Sequence, residues 1–142
     1  MRHADTDFVM GDNDQKLNAK GLERANALVR ILGNAGITVL FSTGKQRTIQ
    51  TVQPLAEYLK LEVNKISDED TLVSKITSLE KGNVAFIVGH APTIPEIIRQ
   101  LGGNPIDPIN EFDNMYVITL HEAIDNDDKH ISTSVLHLKY GN

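Results

Sequence analysis

Arg2 and His3 stand side by side at the start of the chain, and two further basic side chains, Arg47 and His90, follow much later. An Arg-His pair on its own reads as a solvated terminus. The other two residues change that reading through the places they occupy. Ser42 closes the short β-branched run "ITVLFS", Arg47 opens a helical segment five residues on, and His90 directly follows "VAFIVG". Arginine offers planar, permanently charged donors that match the oxygens of phosphate. Histidine serves as nucleophile, donor or acid near neutral pH. Two arginines, two histidines and Ser42 therefore form a set able to surround one tetrahedral anion. A cation at Arg47 opposes the dipole of its own helix, which favours a functional role over a decorative one.

Such a set has to be brought together by the fold. Asn18 reads as an N-cap, and Leu22, Ala25, Leu28, Val29 and Leu32 repeat at helical spacing behind it until Gly33-Asn34 and Gly36. "ITVLFS" (37–42) reads as a buried strand. A second helix spans about 47–59, with Ile49, Val52, Leu55, Ala56 and Leu59 on one face. "LEV" (61–63) suggests a short strand, and Leu72, Ile76 and Leu79 mark a third helix before Gly82. "VAFIVG" (84–89) suits a parallel strand covered on both faces. A fourth helix spans about 93–101, and "MYVITL" and "STSVLHLKY" read as closing strands around the polar loop "DNDDKH". The order α-β-α-β-α-β-α-β-β predicts a three-layer α/β/α sandwich with a mostly parallel sheet, in one domain over 1–142. Ligands of such sheets bind beyond the carboxyl ends of the strands, where Ser42 and His90 fall. The alternation begins with a helix, so the first central strand is expected to be missing from the sequence and the domain to be shortened at its N-terminus.

Composition narrows the function. The chain has 142 residues, 40% of them hydrophobic and 23% charged, as in a globular domain. A net charge of -5 disfavours nucleic acid and anionic membrane as partners. No apolar run approaches the ~20 residues of a membrane-spanning helix. The absence of cysteine removes disulfides, thiolate metal sites and thiol nucleophiles, and leaves the compartment open. The expected location is cytoplasmic by default, or exported if a leader lies upstream of Met1. No HExxH, EF-hand or Walker lysine pattern is present, so no metal and no cofactor are expected.

Four stretches, in order, resemble the histidine phosphatase superfamily, whose fold is phosphoglycerate mutase-like: "RHADT", "LNAKGLERA", "FSTGKQRTIQTVQPLA" and "FIVGHAPTIP". They correspond to its Arg-His-Gly, Leu-Thr-x-x-Gly, Ser-x-x-x-x-Arg-x-x-Gln-Thr and Val-Gly-His motifs and cover about the first 100 residues. "EFDNMYVITL" also resembles a bacterial subgroup of small members, and the length resembles that of the phosphohistidine phosphatases. The resemblance implies that His3 is a nucleophile forming a phosphohistidine. It implies that Arg2, Arg47 and His90 bind the phosphoryl oxygens, with Ser42 and Thr6 as further substrate-binding candidates. Ala4 and Asn18 stand where the family has glycine and threonine. No carboxylate clearly matches the family's general acid. Glu69, within "SDED" (Asp68, Glu69, Asp70), is the candidate acid, and Glu111 and Asp113 are further candidates by position.

These readings predict a metal-independent phosphoric monoester hydrolase acting on a small phosphate ester or a phosphohistidine. The alternatives are a catalytically weak phospho-ligand binding module and a phosphoglycerate mutase. The expected partner is a small phosphorylated substrate or a phosphoprotein, and the expected state a monomer or weak dimer. Only Met1 precedes Arg-His, so part of the site's preorganisation and activity is expected to be lost. His121, His130 and His137 read as structural.

Overall fold

A computed structural model describes residues 1–125 and 128–141. Helix α1 (Ala19–Leu32) is capped by Asn18, whose side chain accepts from the Gly21 amide. Strand β1 (Val39–Ser42) leads into α2 (Gln46–Leu59), β2 (Val63–Lys65) and α3 (Glu69–Thr77), which Asp68 caps through Thr71 N. Then come β3 (Ala85–Val88), α4 (Thr93–Gln100), β4 (Asn114–Asp125) and β5 (Asp128–Lys139). The predicted element order holds throughout.

β1 lies at the centre of a parallel sheet, with Leu40 opposite Val63 of β2 on one side and Phe86 of β3 on the other. Its side chains alternate between two cores, as the pleat requires. Leu40, Phe86 and Val88 meet Leu28 of α1 and Val52 and Leu55 of α2. Phe41 faces the opposite way, onto Leu72 of α3 and Ile94, Ile97 and Ile98 of α4. Two helical layers thus enclose the sheet. Leu28, Leu40, Leu55 and Ile98 are fully buried, and each such side chain contributes about 1.5–3 kcal/mol of burial.

Residues 1–3 run along the far edge of β3. The Met1 amino group donates to Ile87 O (2.8 Å), Gly89 N to Met1 O (3.0 Å), and His3 N to Gly89 O (2.9 Å). Arg2 forms a parallel bridge with Gly89. The Arg-His pair therefore occupies a sheet position, with a backbone anchored at three points. Met1 is itself part of the core. The expected loss of preorganisation at this end is not what the geometry presents.

Other expectations shift in detail. Leu22, assigned to the apolar stripe of α1, is 48% exposed, while Arg24 is buried two residues on. Hydrophobicity alone does not place Arg24, which enters the interior because the Asp5 carboxylate meets it there. β2 lies two residues later than "LEV". β4 and β5 extend beyond "MYVITL" and "STSVLHLKY" into one long antiparallel ladder, from Asn114 opposite Lys139 to Asp125 opposite Asp128. Of the polar stretch 125–130, residues 126 and 127 lie outside the described residues. The hairpin forms its own two-stranded sheet. Between β3 and β4 lies an apolar cavity of about 240 Å³, lined by Met1, Phe86, Ile87, Ile98, Met115 and Ile118 among others.

Candidate active site

The carboxyl ends of β1 and β3 and the stub at residues 1–3 deliver the candidate residues to one place. His3 is 5% exposed. Its Nδ1 lies 2.8 Å from Ala4 O, an acceptor only, so Nδ1 carries the proton. Nε2 is then a lone pair, and it accepts from Arg47 Nε at 3.2 Å. The His90 ring stands edge-on to His3, with 5.5 Å between centroids. Arg2 donates through Nη1 to Ile109 O (3.0 Å) and to Asn110 O, and its guanidinium lies 4.1 Å over the Phe112 ring. Phe112 also approaches His3, at 5.6 Å between centroids. Arg2, His3, Arg47 and His90 are thus brought together as the sequence predicts.

α2 explains the spacing Arg-x-x-Gln-Thr. Arg47, Gln50 and Thr51 share one helical face. Arg47 reaches His3, Gln50 Oε1 accepts from Leu17 N (2.8 Å), and Thr51 Oγ1 accepts from Ala4 N (2.9 Å). One helix turn therefore holds the backbone on both sides of the loop that follows His3. Asp14, from the same loop, accepts from Gln46 N at the helix start (2.8 Å). Gly21 has a comparable purpose. A Cβ there would stand 2.1 Å from Asp5 O, so only glycine lets α1 press against the chain beside His3. Asp5 is fixed by Arg24 Nε at 2.6 Å, and Arg24 Nη1 donates onward to Tyr140 O and Gly141 O.

The electrostatics favour an anion and neutral imidazoles. Burial first, and then the charges of Arg2 and Arg47, lower the pKa of His3 from 6.5 to about 3, against the pull of its bond to Ala4 O. Burial, Arg47, Lys45 and Arg2 lower that of His90 to about 4. Burial and the neighbouring Arg47 also push Arg2 down. Arg2 Nε and His90 Nδ1 are buried with no hydrogen-bond partner among the described residues. Buried polar atoms in native folds are nearly always satisfied, and a phosphoryl oxygen would satisfy Arg2 Nε, and His90 Nδ1 when that nitrogen carries a proton.

The remaining candidates separate. Ser42 is fully buried, donates to Thr48 Oγ1 (2.9 Å) and accepts from Gly44 N (3.2 Å). Its hydroxyl shapes the loop beneath the site rather than opening onto it. Thr6 lies in the loop after His3, in an antiparallel bridge with Leu17. Asp68 caps α3, Asp70 accepts from Gln100, and Asp113 pairs with Lys139 at 2.7 Å. Glu69 lies close enough to His90 to raise its pKa, and Glu111 does the same for Arg2. Of the acid candidates these two act electrostatically on the site, beside Asp5, which also acts on Arg2, and Glu111 accepts from Asn114 at 3.3 Å. Phe112 and Thr43 were not identified from sequence. Phe112 sits within "EFDN", the stretch that resembles the small bacterial members. Thr43 follows Ser42 with no signal of its own. His137 stacks on Tyr116 and bonds Asn114, a structural place.

A three-layer α/β/α sandwich with its polar site at the carboxyl ends of parallel strands is the phosphoglycerate mutase-like fold. The chain matches the model of the histidine phosphatase superfamily (branch 1) over residues 1–68, which include Arg2, His3, Ser42 and Arg47. This is the superfamily that the four motifs resemble. No curated protein matches the sequence. Solved structures share the fold. They include a mycobacterial hydrolase (TM-score 0.75, 14% identity, covering 97% of this chain and 88% of that one). A mycobacterial glucosyl-3-phosphoglycerate phosphatase complexed with VO3 has a TM-score of 0.70 at 16% identity, covering 95% of each chain. The protein histidine phosphatase SixA complexed with tungstate gives 0.65 at 15%, covering 98% of this chain and 94% of that one.

Proposed function

We propose that this protein is a metal-independent phosphatase that works through a phosphohistidine at His3. Its substrate would be a small phosphate ester or the phosphohistidine of a partner protein. The observation that carries this reading is the state of His3, with Nδ1–H turned to Ala4 O and the Nε2 lone pair directed at Arg47 Nε. An imidazole so held is neutral, oriented and nucleophilic. On substrate binding, Arg47 exchanges that bond for a phosphoryl oxygen, and Arg2 and His90 take others. Phosphoryl transfer asks mainly for such positioning and charge stabilisation. Nε2 bonds to phosphorus as the bond to the leaving group breaks, and water then hydrolyses the N–P bond. Glu69 or Glu111 is the carboxylate for the leaving-group proton. Support comes from the superfamily match and from neighbours described as phosphatases, one of them a protein histidine phosphatase.

The test is steady-state hydrolysis of p-nitrophenyl phosphate in the presence of a chelator. Turnover in wild type and a loss of at least roughly 10³-fold in His3→Ala are expected. Saturable phosphate binding without turnover would instead identify a phospho-ligand binding module.

A further inference from the structure

Beneath the two histidines lies a closed set of hydroxyls whose donors and acceptors can be counted. Thr48 Oγ1 donates its one proton to Lys45 O (2.8 Å). It therefore accepts from Ser42 Oγ (2.9 Å) and from Thr43 Oγ1 (3.3 Å). Ser42 Oγ in turn accepts from Gly44 N. When Thr43 gives its one proton to Thr48, it has only lone pairs for His90 Nε2, 2.9 Å away. That arrangement makes Nε2 the protonated nitrogen. His90 Nδ1, on the other side of the ring, is then a bare lone pair, buried and without a partner among the described residues.

We propose that Thr43 is a positioning residue that, backed by Thr48 and Ser42, holds His90 as the Nε2–H tautomer, so that His90 takes up a proton at Nδ1 when a tetrahedral oxyanion binds. The inference rests on the phosphatase reading, which places that anion between His3 and His90. A neutral ring in this tautomer presents a lone pair to the anion's oxygens, which repels them. A proton from solvent turns Nδ1 into a charge-assisted donor. Without the anion, protonation is opposed by burial and by Arg47, Lys45 and Arg2, and among the described residues supported by Glu69; His3 opposite is neutral. A bound dianion reverses that balance. The captured proton then lies on the ring nitrogen that faces the bound anion.

Tungstate, a tetrahedral dianion at pH 7, is the probe. Binding is measured calorimetrically in buffers of different ionisation enthalpy, which counts protons. Wild type is expected to take up about one proton per anion. Thr43→Val removes the acceptor at nearly constant shape, freeing the neutral ring to adopt Nδ1–H and donate without protonation. Uptake should fall below about half a proton, with Thr43→Ser restoring it. Long-range ¹H–¹⁵N imidazole spectra should show the Nε2–H tautomer for His90 in wild type and a mixture in Thr43→Val. Hydrolysis by Thr43→Val should lose on the order of tenfold in kcat with KM little changed. Thr43→Ala serves as a second variant should valine perturb the fold. Equal proton uptake and an unchanged tautomer in a folded Thr43→Val, with wild type active, would overturn the role of Thr43 and leave the phosphatase reading standing. Wild type that neither binds tungstate nor turns over substrate would overturn both.

Discussion

Arg47 Nε donates to His3 Nε2 at 3.2 Å, joining a residue of the first helical turn of α2 to one held on the edge of β3. The pair is a resting arrangement of groups that repel once the His3 ring is protonated. It is stable because His3 is neutral and offers a lone pair. Arg47→Ala should lower kcat/KM by roughly 10²–10³-fold, the scale of one preorganised donor to a charged transition state. Arg47→Lys should recover little, since an ammonium cannot reproduce the guanidinium fork. Initial rates of the three proteins on an aryl phosphate decide it, and near-wild-type activity in Arg47→Lys would contradict the assignment.

The depressed imidazoles also set the pH dependence of stability. Between about pH 6.5 and about 4 the unfolded chain protonates His90 while the fold resists, and for His3 the window extends to about 3. The Met1 amino group, lowered by burial from 8.0 to about 5, adds a window at higher pH. In all three the unfolded state binds more protons, so stability is fully present above the unfolded value and falls as pH drops. Thermal melts should show a steady decline from pH 8 towards pH 4. Tungstate should flatten the lower part of that decline. A melting temperature constant across pH 8 to 5 would show these groups to be solvated.

Two substitutions away from the chemistry test how the loop after His3 is held. Gly21→Ala places a Cβ against Asp5 O, which should cost about 1–3 kcal/mol by overpacking. Arg24→Ala leaves Asp5 buried without its 2.6 Å partner and also frees Tyr140 O and Gly141 O. Breaking a buried pair in this way costs about 3–5 kcal/mol. Urea denaturation at pH 7 measures both, and a change within about 0.5 kcal/mol, as for a surface substitution, would remove the loop-anchoring role.

Much of this architecture was legible beforehand, and the reason is periodicity. Val52, Leu55 and Ala56 on α2, and the continuous run of β3, each carry the repeat of the element they form. His90 and Arg47 were legible because loops at strand ends converge in such sheets. What escaped detection is what periodicity does not encode. Arg24 reads as a break in an apolar stripe until Asp5 is placed beside it. The outer hairpin is held by its backbone ladder, and His121, Glu122 and Ala123 beyond "MYVITL" give no apolar alternation. Thr43 matters only through the direction of a hydrogen bond, which requires His90, Thr48 and Lys45 O to be in place together.

The cavity between β3 and β4 carries its own prediction. Met1 donates to Ile87 O with an amino group that burial keeps from charging readily, a place better suited to an uncharged peptide N–H. Fusing a short β-branched segment ahead of Met1 should extend the ladder along β3 and fill the apolar space with side chains. The melting temperature should rise, and its decline between pH 8 and 5 should lessen because the buried amine has become an amide. An extension that leaves both unchanged would show that this edge of β3 does not accept a strand.

The central claim is that His3 is the nucleophile, and trapping the phosphoenzyme tests it most directly. Wild type mixed with ³²P-labelled acetyl phosphate and quenched in alkali should carry label that survives base and is lost in acid, on the peptide containing His3. His3→Ala should carry none, while Arg47→Ala should label slowly on the same peptide. Label that persists in His3→Ala, or wild type that hydrolyses phosphate esters at full rate while the label maps to another residue, would contradict the mechanism.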